Sequence, residues 1–206
     1  MAALPTSSAS GLERSARGDL ALLAVVTIVL RLPAFFASAH LTFDDGVFGA
    51  SAVAMREGGV PFRDVFSSQG PLFLPLVYVA DLVGLHTMDG PRLLAIASAL
   101  LMVLSTYVAG RSITDRGGAL LAAGIVSVTA TSIWITGPIA ADGPALAIAT
   151  ATLALILRWR DDVTVGRAAV IGLGVGATIS IKALLAPIAL PAALVLLAGR
   201  RWVKVD

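Results

Sequence analysis

Five charged side chains in this chain stand where charge is costly. Asp44 and Asp45 are adjacent carboxylates just after an apolar stretch, Asp142 lies in TGPIAADGPALA between two more, and Lys182 is the only charge in 168–199. Arg92 opens a further apolar stretch. Adjacent carboxylates repel unless a proton, a cation or a basic group compensates, so the pair could act as a general base or bind a divalent ion. Asp45 reads equally well as the N-cap of a helix starting at Gly46, and Asp142 as a cap ahead of Gly143-Pro144. A lone ammonium at mid-bilayer costs about 2.5–3.5 kcal/mol on insertion scales, and less at an interface that the side chain can reach. A phosphate partner would give Lys182, and Arg92 with it, a positive reason to be there.

The elements that carry these residues follow from composition. Of 206 residues, 57% are hydrophobic and only 14% charged, with a mean hydropathy of +0.91, whereas soluble domains are about one-quarter charged. About 20 apolar residues cross a bilayer as a helix. The expected fold is therefore all-α, a polytopic transmembrane helix bundle of about six spans at 19–36, 93–110, 118–136, 143–157, 168–182 and 183–199. The hairpin made by the last two has its tip near Lys182 to Pro187. Residues 1–18 lack apolar periodicity and read as a flexible cytoplasmic tail before a membrane domain 19–206. The first span contains Arg31 and is expected to end near Pro33. A signal peptide cut after Ala37-Ser38-Ala39 is the competing reading of this end.

Residues 40–90 form the long non-spanning region, an outer loop with interfacial helices. Val47, Ala50, Val53 and Ala54 recur at helical spacing over 46–57, closed by Gly58-Gly59, and Gly70-Pro71 opens a run over 72–85 that is short for a span. Lys and Arg in short loops set topology. Arg14, Arg17, Arg111, Arg116, Arg158, Arg160, Arg167, Arg200, Arg201 and Lys204 fall on one side, against Arg56, Arg63 and Arg92 on the other. Both termini are thus expected in the cytoplasm, with 40–90, 137–142 and Lys182 facing outward across the plasma (inner) membrane. The basic residues lie between spans and not along one face, so a nucleic-acid partner is not expected.

Other signals carry less. The chain has neither cysteine nor asparagine, which removes disulfides, thiolate catalysis and N-glycosylation sequons. Gly172-x-Gly174-x-Gly176 lies inside an apolar run without a preceding strand and reads as helix packing, not as a nucleotide loop. His40 and His86 are too far apart in sequence to suggest a metal pair. Trp134, Trp159 and Trp202 sit at span ends, where amphipathic rings favour the interface.

The order of segments resembles the GT-C glycosyltransferases of the protein O-mannosyltransferase and aminoarabinose-transferase type. The residues that carry the likeness are FDDGVFGASAVAMREGGVPFRDVFSSQGPLFLPLVYVADLVG, GPRLLAIASALL, GPIAADGPALA and GATISIKALLAP. They match an acidic pair opening the first outer loop, a Gly-rich turn and a Pro-Leu, then an Arg, an Asp and a Lys in later outer positions. The likeness covers about residues 20–200 and corresponds to the N-terminal half of the family, whose members continue with further spans. It implies transfer of a sugar from a polyprenyl-phosphate donor to a glycan, lipid or protein acceptor on the outer side, at a membrane-lipid boundary. Under it Asp44 is the expected base, with Asp45 supporting it. Asp142, Lys182 and Arg92 are the expected substrate contacts, the two cations on the donor phosphate. Asp45 and Asp142 are the candidate ligands if a divalent metal ion is used. A membrane transporter and a non-catalytic membrane scaffold are the competing classes.

Overall fold

The computed structural model describes residues 7–36, 42–87 and 89–199. They form helices α1 (Ser7–Phe35), α2 (Phe43–Arg56), α3 (Phe73–Val83), α4 (Leu93–Arg111), α5 (Arg116–Val128), α6 (Ala130–Ile135), α7 (Asp142–Trp159), α8 (Val165–Ile181) and α9 (Ala189–Gly199). Short 3-10 turns occupy Gly90–Arg92 and Ala183–Ile188. The described residues contain no strand, only an isolated bridge between Pro61 and Val65. The all-α class expected from the sequence is the class observed. Two segments, Ser15–Phe35 and Gly90–Arg111, are helices long and apolar enough to cross a membrane.

Several boundaries differ from those read off the sequence. Helix α1 begins at Ser7, inside the stretch expected to be a loose tail, because Leu12, Glu13, Arg14 and Ala16 are compatible with helix and no proline interrupts them. Its other end, at Phe35 with Pro33 inside the last turn, falls where the 19–36 span was expected to stop. The stretch 118–136 is not one continuous helix. The backbone turns extended at Thr129 (φ −63°, ψ 131°), dividing it into α5 and α6. Ser and Thr side chains compete for backbone partners here, and the Thr129 hydroxyl donates to the Ile125 carbonyl at 2.5 Å. His40, Arg200, Arg201, Trp202 and Lys204 lie outside the described residues.

α4 packs against α1, α5 and α7, and α7 in turn packs against α8. One apolar core joins Leu23 of α1 to Val103 and Tyr107 of α4 and Ala119 and Ala123 of α5. A second is built on α2 and α3. There Phe48, Ala52 and Met55 of α2 meet Phe73, Leu74 and Val77 of α3, with Ile139, Ala145 and Ile181 closing the base. Its centre is an edge-to-face pair, Phe48 and Phe73, with ring centroids 4.7 Å apart. Leu22, Val25, Val29, Leu121, Ile125, Leu173, Leu190 and Leu194 point outward, an apolar exterior unlike that of a soluble monomer.

Polar groups tie the helices at two depths. Asp19 of α1 accepts from the Tyr107 hydroxyl at 2.7 Å and from both Nε and Nη2 of Arg116 at 2.8 and 2.7 Å, joining α1, α4 and α5. Toward the other end, Arg31 is 1% exposed. Its Nη1 donates to the Ser127 carbonyl, its Nη2 to Ser132 Oγ at 3.0 Å and its Nε to Thr136 Oγ1 at 3.3 Å. These acceptors flank the α5–α6 break, so the guanidinium fills the gap where the helix ladder is interrupted. Replacing Arg31 with Leu leaves these groups without their donor, and each unsatisfied buried group costs about 1–3 kcal/mol. Thermal unfolding in detergent should show Arg31→Leu well below wild type, with Arg31→Lys failing to restore it because an ammonium lacks the planar fork.

Candidate functional site

The site is assembled around the N-terminus of α2. Thr42 is the N-cap: its hydroxyl oxygen accepts from the Asp45 N–H at 3.2 Å, while Asp45 Oδ2 accepts from the Thr42 N–H and hydroxyl at 3.1 and 2.9 Å. This is a reciprocal capping box. Asp45 therefore stands at the third helical position and is not the N-cap itself. Its Oδ1 points the other way, accepting from the Ile139 N–H at 2.9 Å and from Arg92 Nε at 3.4 Å.

Both members of the Asp45–Arg92 pair have side chains only 3% exposed. Arg92 Nη1 also donates to the Phe35 carbonyl and to Asp89 Oδ1, each at 3.2 Å. One ion pair thereby joins the end of α1, the start of α2, the turn before α4 and the segment before α7. Burial works against ionising Asp45, but the N–H groups of Ile139 and Thr42, the Thr42 hydroxyl and Arg92 outweigh it and hold the carboxyl below its usual range. Arg92, expected from the sequence to meet a donor phosphate, is engaged on three sides.

Asp44, one residue earlier, is exposed and bonds to nothing among the described residues. Successive residues on a helix point about 100° apart, so neighbours in sequence meet different surroundings. Asp44 and Asp142 line one cavity of about 310 Å³, together with Thr42, Trp134, Pro138 and Ala140. Asp142 is the first residue of α7, with Ala141 as the N-cap and no side-chain capping bond. Its Oδ1 instead accepts from Lys182 Nζ at 2.5 Å.

Lys182 sits where α8 ends, in an extended conformation (φ −146°, ψ 106°) before the 3-10 turn. The segment between α2 and α3 docks on this break through the Gly70 and Leu72 N–H groups, which donate to the Ile181 and Ser180 carbonyls, both at 3.0 Å. Gly70 leaves no room for a side chain, because a Cβ there would run into the Ser180 carbonyl. The chain thus brings all five residues singled out by the sequence into one layer, as two ion pairs and one unengaged carboxylate.

No group of three or more His, Cys, Asp or Glu placed to hold a metal exists among the described residues. Asp45 and Asp142, the candidate ligands read from the sequence, are paired instead with Arg92 and Lys182.

One residue in the same layer escaped the sequence reading, and it pairs with the His86 weighed there only as half of a metal pair. Asp81 of α3 is buried and pairs with His86 Nδ1 at 2.7 Å. The signal was present as a lone carboxylate inside FLPLVYVADLV with a histidine five residues on, and apolar runs do not retain such a charge without a partner. Compared with known proteins, the chain matches no family model, no curated sequence and no solved structure.

The lowered Asp45 pKa has a definite sign. A depressed folded value adds stability above the usual carboxylate pKa of about 3.9, and that stability is lost as pH falls through the lower folded value. Asp45→Asn should cost about 3 kcal/mol near neutral pH, the scale for breaking a buried pair, and should flatten the acid limb of stability against pH. Denaturation in detergent from pH 7 to pH 2 measures both effects.

Proposed function

We propose that this chain is the front part of a membrane glycosyltransferase of the GT-C type, which moves a sugar from a polyprenyl-phosphate donor to an acceptor hydroxyl on the outer face of the membrane. The observation that carries the reading is a cavity lined by both Asp44 and Asp142, the second of which accepts a hydrogen bond from Lys182. A lipid-linked donor keeps its tail in hydrocarbon while its phosphate meets polar groups at the boundary. The transfer needs a base for the acceptor and a cation for the departing phosphate.

In this reading Asp44 takes the acceptor proton as the acceptor oxygen bonds to the anomeric carbon. The bond from that carbon to the phosphate oxygen breaks, and the lipid phosphate leaves with its charge toward Lys182. Asp44 suits the role because no group among the described residues competes for it, whereas Asp45 is occupied on both oxygens. Asp45 and Arg92 then act by positioning, holding the α2 N-terminus against the segment that carries Asp142. Asp142 keeps Lys182 in place when no phosphate is bound.

The proposed layout has six crossings, counting α5 with α6 as one and the Ala183–Ile188 turn with α9 as one. Both termini are cytoplasmic, and the layer around Asp44 faces outward. The chain is free of cysteine, so single substitutions report topology directly. Phe43→Cys and Pro138→Cys should label with an impermeant reagent from outside the cell, and Thr114→Cys should not. Label reaching Phe43→Cys and Pro138→Cys from opposite sides would end the proposal.

Activity is read by transfer of labelled sugar from polyprenyl phosphate in membranes carrying the full-length protein. Asp44→Asn should reduce the rate by about 10²–10⁴, the usual contribution of a positioned base. Unchanged transfer would remove Asp44 from the chemistry.

A further inference from the structure

Against the Asp45–Arg92 pair lies a second cavity, of about 430 Å³, with Asp81, His86 and Arg56 in its lining. Its volume falls in the range of small-molecule sites. The α2 face that floors it consists of Gly46, Gly49, Ala50 and Val53. A Cβ added at Gly46 or Gly49 would meet nothing within 4 Å. Glycine inside a helix sacrifices helix propensity, and here it leaves open space where larger side chains would fit.

The opposite wall is held in an unusual backbone. Leu85 and His86 both have positive φ, 53° and 58°, although neither is glycine. Such strain persists only where surrounding contacts enforce it. It folds His86 back onto α3, where its N–H donates to the Asp81 carbonyl at 3.0 Å and its Nδ1 meets Asp81 Oδ2 at 2.7 Å. Nδ1–H donates to the carboxylate, so Nε2 is the nitrogen left to accept a hydrogen bond. The imidazole is 39% exposed. Arg56 Nη1 reaches the His86 carbonyl at 3.2 Å, bringing the guanidinium alongside.

The charges here nearly cancel. In the lining Asp45 and Asp81 stand against Arg92 and Arg56, and His86, with Nε2 as an acceptor, adds no charge. A phosphate or an ammonium would upset this balance. A neutral ligand rich in hydroxyls fits it, because each hydroxyl both donates and accepts.

We propose that this cavity binds a neutral sugar ring, its hydroxyls bonding to His86 Nε2, Arg56 and Thr87 and its apolar face lying on Ala50 and Val53. Resting on the transferase reading above, this makes the acceptor a glycan, seated beside the Asp45–Arg92 partition that also lines the neighbouring cavity at Trp134 and Pro138. The sugar is bound here and the bond chemistry stays at Asp44.

The test is saturation-transfer NMR on the full chain in nanodiscs, using methyl glucoside, methyl mannoside and methyl galactoside as probes. A hexose phosphate and a serine-containing peptide serve as comparators. Transfer of saturation to the ring protons of at least one neutral glycoside is expected. It should vanish in Gly49→Leu and in Ala50→Leu, either of which fills the cavity. Affinity should fall about tenfold in His86→Asn, where Asn tolerates the left-handed backbone but cannot reach as far. An unchanged thermal midpoint verifies folding of each variant.

Absence of signal from every glycoside, equal signal in both filled variants, or preference for the hexose phosphate or the peptide overturns the proposal. Sugar transfer that depends on Asp44 without glycoside binding removes this subsite and leaves the transferase intact. Glycoside binding by a full-length protein that transfers no sugar removes the acceptor role together with the transferase reading.

Discussion

The buried pair between Asp45 and Arg92 is the constraint on which this layer of the protein depends. Two charges taken out of water are tolerated only when every lone pair and proton has a partner. Here the carboxylate has four donors, and the guanidinium reaches Asp45, Asp89 and the Phe35 carbonyl. Because these partners come from four chain segments, satisfying the pair also fixes where α1 ends, where α2 begins, how α4 starts and how the 137–142 segment lies. The cavity containing His86 borders this pair, as does a separate one lined by Ala34, Ile133 and Gly137.

The consequence is a division of labour between neighbours that composition cannot show. Asp45 is pinned at low pKa and is unavailable for proton transfer, while Asp44 projects into open space. Asp142 and Lys182 form a second pair that is partly exposed, with side chains 46% and 24% accessible, and so is easier to open for a ligand. Depth separates structural charge from accessible charge: Arg31, Asp45, Asp81 and Arg92 are buried and fully engaged, and Asp44 is neither.

Arg31 illustrates the same physics without a counterion. Its donors all go to neutral oxygens supplied by the α5–α6 break, so the interruption of one helix satisfies a charge on another. Asp19, Tyr107 and Arg116 close the opposite end of the same helices. An apolar chain can bring such groups to defined places because an unpaired charge has nowhere favourable to go in hydrocarbon.

Amino-acid order alone determined the helical class, the apolar stretches, the break at Lys182 and the choice of Asp44, Asp45, Arg92, Asp142 and Lys182 as the residues to watch. Each follows from hydropathy or from the cost of a charge within an apolar run, which are properties of local sequence. Only tertiary structure decided which carboxylate is held by Arg92 and Ile139, and that 118–136 breaks at Thr129 where Arg31 meets it. Those outcomes depend on donors contributed from as far as 105 residues away, as with Arg31 and Thr136. No local pattern encodes a partner at that distance, because the partner is selected by which groups remain unsatisfied once the helices have packed.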